Sequence, residues 1–235
     1  MLWYKGWLET RFRVLFMFLY AIFPIPLITL TAHAVAPRFD PSLVEMKGMV
    51  GYFALFYSIV PLMLAGAGIK TQADFRPQKG LHGSIYFTLS LPVSRLRLLV
   101  TRAGLGMAEA AVVLTIAPFA IWIMLPPLRV HTTALELFEY WLALSVCASA
   151  FYFLGVLLST FLDDLWQNWV SLFGIVFLYG LSSRFPGTPV NILWAMGAAS
   201  PLFTHTFPWA SMSFALGVAA ILLSAALKVV ETREY

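Results

Sequence analysis

Lys70 to Arg102 reads KTQADFRPQKGLHGSIYFTLSLPVSRLRLLVTR. It is the one long polar interval in a chain that is otherwise nearly all apolar, and an apolar run lies directly on each side of it. It holds six of the fifteen basic residues: Lys70, Arg76, Lys79, Arg95, Arg97 and Arg102. Placing this interval decides how the rest of the chain is threaded.

Hydrophobic residues make up 60% of the 235 residues and charged residues only 11%. A soluble domain carries roughly twice that charge. The chain therefore reads as an all-α polytopic membrane protein, long enough for six helices of about 20 residues plus one sizeable loop. A membrane β-barrel is disfavoured, because its strands would alternate apolar and polar residues whereas these runs are continuous. Cys147 is the only cysteine and falls inside an apolar run, so an intrachain disulfide is excluded.

Outward from the polar interval, the second span is expected over 49–69 and the third over 98–125, leaving 70–97 as a loop. Upstream, residues 1–13 form an amphipathic segment. Lys5, Glu9 and Arg13 share one helix face, with Glu9 set to pair with Arg13. Trp3, Tyr4, Trp7 and Leu15 gather opposite, and Arg11 among them has to snorkel. Such a helix is expected to lie in the membrane surface. The first span follows over 14–36, kinked at Pro24 and Pro26. Ala32-His33-Ala34 resembles a signal-peptidase site, but the apolar stretch before it exceeds the usual 7–15-residue signal core, so a retained span is expected. Downstream, spans are expected over 140–162, 166–181 and 209–230, giving a single transmembrane domain over 1–235. Asp163-Asp164 between two of them reads as a turn that caps the next helix at its N-terminus, with cation binding as the other option.

Orientation follows from lysine and arginine. With both termini cytoplasmic, inside segments hold eleven (Lys5, Arg11, Arg13, the six of the interval, Lys228 and Arg233) and outside loops four (Arg38, Lys47, Arg129 and Arg184). The positive-inside rule therefore puts both termini and the 70–97 interval in the cytoplasm of an integral inner or plasma membrane protein.

Residues 182–208, SSRFPGTPVNILWAMGAASPLFTHTFP, are too apolar for an exterior loop and too broken to span. Thr188-Pro189 reads as a cap and first-turn pair, Gly197 as a stop, and Ser200-Pro201 as a second start. Two short re-entrant helices are expected there, buried in protein because irregular backbone at membrane depth must be. A break in a longer last span is the alternative.

Chemistry-bearing patterns are few. No phosphate-cradling or dinucleotide-binding glycine motif occurs, nor a protease signature, and His33, His82, His131 and His205 lack metal-ligand spacing. The chain is thus expected not to be an enzyme itself, to hold no metal or cofactor, and not to bind nucleic acid. Glu109 is the one carboxylate well inside a span, about 10 Å past Arg102. Carboxylates at that depth face a bundle interior or a water cavity. Either an ion pair with Arg11 or Arg13 or a role in a transport path accounts for it.

The W-L-E-T-R-F-R start (Trp7 to Arg13), the Leu91-Pro92-Val93-Ser94-Arg95 string leading into the third span, and the broken apolar segment before the last together resemble the permease subunit of a type-2 ABC transporter. This is the export-associated family whose fold is shared with ABCG-type exporters. The resemblance implies that residues 1–13 are a connecting helix, with Trp7, Glu9, Arg11 and Arg13 as its marker residues. It implies a coupling helix within 77–91 that docks on a separate ATPase, the interface formed by Gly80, Leu81, His82, Gly83, Ser84, Ile85 and Arg95. The implied complex has two ATPase subunits, which bind ATP and Mg, and a second permease copy or paralogue, set among membrane lipids. By the same analogy the second and fifth spans line the path with Phe53, Phe56, Tyr57, Phe173, Phe177 and Tyr179. Such an aromatic surface suits an amphipathic or hydrophobic cargo, and equally describes plain packing. Two other readings stand beside it: a non-transporting membrane scaffold or assembly factor, and an ion-gradient-driven secondary transporter. A single intramembrane carboxylate and the absence of an inverted repeat weigh against the second.

Overall fold

The computed structural model of the chain describes residues 2–23, 43–65, 94–124, 132–162, 164–188 and 190–232, and these are all helix and short connections. Helix α1 runs from Leu2 to Ile22 without interruption. The sequence reading ends a surface helix at Arg13 and starts a span at Val14, but residues 7–23 contain neither glycine nor proline, so nothing breaks the helix there. It stops two residues before Pro24, where the restricted pre-proline backbone disfavours continuation. Thr10, Met17 and Ala21 are buried and Arg13 and Val14 half-buried, a three-and-four spacing that lays one stripe on the protein. Tyr4, Phe12, Leu15, Phe16 and Leu19 point away from it.

Helix α2 spans Leu43–Leu64 with Pro61 in its last turn. Helix α3 spans Arg95–Leu114, and α4 spans Ile116–Met124. The expected third span is therefore kinked at Thr115. Pro118 supplies the reason: it has no N–H to give Leu114, and its ring would strike that carbonyl in an unbroken helix. Thr115 closes the turn by donating its Oγ1 proton to the Val112 carbonyl at 2.6 Å, which leaves Pro118 in the first turn of α4, where proline is tolerated.

Helix α5 spans Ala134–Ser159, α6 spans Asp164–Ser182, and α9 spans Trp209–Thr232. Two short helices lie between the last two: α7, Ile192–Met196, and α8, Pro201–Thr204. Among the described residues three runs are long and apolar enough to cross a membrane: Leu99–Ala120 through the kink, Ala134–Ser159 and Trp209–Thr232; Phe53–Leu64 in α2 is a shorter apolar helix.

Helix α5 is the post of the fold. Its apolar window is 67% buried, against 22% for α9, and every other helix except α1 packs on it. Small residues (Ala143, Ser145, Ala148, Ser149, Ala150 and Gly155) let its neighbours come close. Helix α9 returns the favour with Ser211, Ala215, Ala219 and Ala226. Hydrogen bonds from two α5 side chains fix the post: Tyr140 Oη donates to the Met196 carbonyl at the end of α7 (3.2 Å), and Trp141 Nε1 to the Ala111 carbonyl on α3 (3.2 Å).

Candidate functional site

Glu109 is buried between α3 and α1. Its Oε1 accepts a hydrogen bond from Thr10 Oγ1 at 2.6 Å. Neither Arg11 nor Arg13 supplies that bond. Arg11 is exposed, its guanidinium 4.9 Å from the centroid of the Phe12 ring, which satisfies the cation by lying over an aromatic face. The other carboxylate oxygen, Oε2, has no hydrogen-bond partner among the described residues. One turn before Glu109, Gly106 makes room for the buried Tyr152 of α5; a Cβ there would fall on the tyrosine hydroxyl and ring edge.

A second polar group sits where α2, α5 and α6 meet. Gln167, wholly buried, donates from Nε2 to the Gly155 carbonyl at 3.3 Å, and its Oε1 is without a partner among the described residues. Gly155 is required by the close approach of α2: a Cβ would lie 2.7 Å from the Ala65 Cβ and 3.1 Å from the Leu62 carbonyl oxygen.

The six aromatic residues assigned to a path divide into two places. On α2, Phe53 and Tyr57 are buried and stacked at 5.8 Å, Tyr57 Oη reaches the Ala21 carbonyl, and Phe56 packs half-buried beside Tyr20. On α6, Phe173 and Phe177 are 66% and 69% exposed, with Phe173 stacked on Trp169; Tyr179 is half-buried. Trp166, Trp169, Phe173 and Phe177 thus form an outward aromatic stripe on α6, away from the α2 cluster.

On the flank of that stripe, α5, α6 and α9 enclose an open-sided groove of about 620 Å³. Ala150, Phe151 and Leu154 form its floor, Leu178 and Leu181 one wall, Phe214, Val218 and Leu222 the other, and Phe185, Thr188 and Val190 to Leu193 border one end. Nothing in the sequence pattern singles it out, because it is assembled from residues of four segments.

A further polar pair joins α5 to α8. Thr133 caps α5 in a reciprocal box with Glu136, and Glu136 Oε1 also meets His205 Nδ1 at 2.6 Å. His205 ends α8 in a left-handed conformation, φ 51°. Among the described residues no three His, Cys, Asp or Glu side chains come together as a metal site.

Of the residues assigned by resemblance, Arg95 opens α3 directly after its cap, with Ser94 Oγ accepting from the Arg97 N–H at 3.3 Å. Trp7, Glu9, Arg11 and Arg13 all lie within α1. Gly80, Leu81, His82, Gly83, Ser84 and Ile85 lie outside the described residues, as do Pro24, Pro26, Asp163 and Pro189. No protein-family model matches the chain, and no curated protein or solved structure matches it.

Proposed function

We propose that the chain is the membrane-spanning permease subunit of an ATP-driven transporter of the type-2 ABC class, working as an exporter. In this reading six spans cross the membrane with both termini in the cytoplasm. The N-terminal part of α1 serves as the connecting helix, and the 70–97 interval meets two ATPase subunits that bind ATP and Mg. A second permease copy, or a paralogue, completes the complex.

The observation that carries the reading is the pair α7–α8. Two short helices of five and four residues, the first capped by Asn191 and the second opened by Pro201, are seated on α5, with Leu193, Met196 and Leu202 in the core, immediately before the long apolar α9. A rigid, buried interruption ahead of the last span is what a permease needs to cap its path on the outer side. The aromatic stripe on α6 adds support as a face for the second copy. Closure of the ATPases would push on the 70–97 interval, and α3, which begins at its end, would pass the movement to α1 through Thr10 and Glu109.

The Glu109 oxygen that has no partner among the described residues favours a second reading, transport coupled to an ion gradient. One experiment separates the two: purification of the full chain from its native membrane, followed by reconstitution. The transporter reading expects a co-purifying ATPase with vanadate-sensitive turnover, and disruption of Gly80–Ser84 should uncouple hydrolysis from transport while the membrane domain stays folded. Transport driven by an ion gradient without ATP overturns it.

A further inference from the structure

The groove between α5, α6 and α9 combines three properties. Its walls are apolar over their length: Phe214, Val218 and Leu222 recur every fourth residue and so line up along about 12 Å of α9. Two of the polar side chains that border it, Asn191 and Thr188, are engaged with the protein. Asn191 Nδ2 donates to the carbonyls of Ser182 and Phe185, its Oδ1 accepts from the Trp194 N–H, and Thr188 Oγ1 donates to the Phe185 carbonyl. At the end that Phe185 borders stands a cation, the exposed Arg184, in the turn between the lining residues Ser182 and Phe185 and without an ion pair among the described residues.

We propose that this groove holds one acyl chain of an anionic phospholipid, with the headgroup at Arg184. The inference is independent of the transport reading. Along its side no described segment closes the groove, and half-exposed Leu181, Val190 and Phe214 leave it open there. Its volume is in the range of small-molecule sites, about 300–1,000 Å³. With the Asn191 amide and the Thr188 hydroxyl turned to backbone partners and nearly all the remaining lining apolar, burial of hydrocarbon is what the interior rewards. A tail fits inside; the charged part of the same molecule has to lie at the rim, where Arg184 supplies the complementary charge. A second copy of the chain would instead have to insert a narrow apolar ridge.

The test uses the full chain reconstituted in phosphatidylcholine vesicles that contain a minor fraction of phosphatidylglycerol, each lipid carried in turn with a photoreactive tail. The expected result is crosslinking to Phe214, Val218 or Leu154, with phosphatidylglycerol preferred. Arg184→Gln should reduce that preference about fivefold, the effect of one basic residue near a lipid surface. Val218→Trp should abolish crosslinking of both lipids; Val190→Trp, at an exposed lining position, does the same if the first variant fails to fold. Equal labelling by the two lipids, or an unchanged preference in Arg184→Gln, overturns the proposal. So does dimer crosslinking through Val190→Cys, which would put a second copy in the groove.

Discussion

Thr10 and Glu109 lie ninety-nine residues apart in sequence and 2.6 Å apart in space, hydroxyl donating to carboxylate. The bond joins α1 to α3 at a point where both side chains are buried. Hydrogen bonds between helices in a membrane contribute about 0.6 kcal/mol on average and up to about 1.7; leaving the buried acceptor without its donor adds to the loss. Thr10→Val should therefore destabilise the chain by about 1–2 kcal/mol, and Thr10→Ser by much less. Glu109→Leu in the Thr10→Val background should cost less than either change alone would suggest, because the buried carboxylate then disappears with its donor. The protein carries its own readout: Cys147 is the only cysteine and is buried, so a thiol-reactive dye reports unfolding directly. A double-mutant cycle that returns no coupling would falsify the link.

Glycines provide the sharpest contrast between positions. Gly155→Ala should destabilise by about 1–3 kcal/mol, since the new methyl meets the Ala65 methyl and the Leu62 backbone carbonyl, neither of which can swing away. Gly106→Ala should also destabilise, but its obstruction is the hydroxyl end of Tyr152, so Tyr152→Phe should recover part of the loss. Gly174→Ala and Gly180→Ala face open space and should be neutral or stabilising by up to about 1 kcal/mol through helix propensity. Melting curves of the four variants check the order.

What the sequence made legible is mostly local. Ser200-Pro201 and Gly197 serve as the start and stop expected of them, since a proline at the first helical position and a glycine past the last act within one turn. The start of α7 shifts to Asn191, because that side chain can cap Trp194 and hold the Ser182 and Phe185 carbonyls at once, which Thr188 cannot. Helix α5 begins at Ala134, six residues before the apolar run suggests. The signal was present in Thr133-x-x-Glu136, a capping box that hydropathy alone passes over. The partner of Glu109 was beyond reach of charge matching: Arg11 and Arg13 are the candidates by sign, but Arg11 faces outward and the group that donates to Glu109 is the hydroxyl of Thr10, about one turn before Arg13. The groove was invisible for the same reason, as it exists only once four segments are assembled.

The contact of His205 with Glu136 predicts unequal effects from its two ends. Glu136→Ala removes both the reciprocal cap of α5 and the tie to α8, so it should cost about 1–2 kcal/mol. His205→Asn should cost under about 1 kcal/mol, because asparagine tolerates the left-handed backbone and only the half-exposed tie is lost. His205→Ala should be worse than His205→Asn, alanine being strained at φ 51°. Thermal melting of the three variants checks the ranking, and an equal loss from Glu136→Ala and His205→Asn would mean that the cap contributes nothing.

Gln167 tests whether a buried polar side chain is there for stability. One of its two polar ends is satisfied weakly, at 3.3 Å, and the other has no partner among the described residues. A buried amide in that condition costs roughly 1–3 kcal/mol relative to an apolar side chain of similar shape. Gln167→Met keeps the length of the side chain and removes the orphaned acceptor, so it should leave stability unchanged or raise it by about 1 kcal/mol. Gln167→Glu puts a carboxylate in the same space and should lower it by more than any other single change proposed at this seam. If Gln167→Met instead destabilises by 2 kcal/mol or more, the glutamine has a second partner that stabilises the junction of α2, α5 and α6.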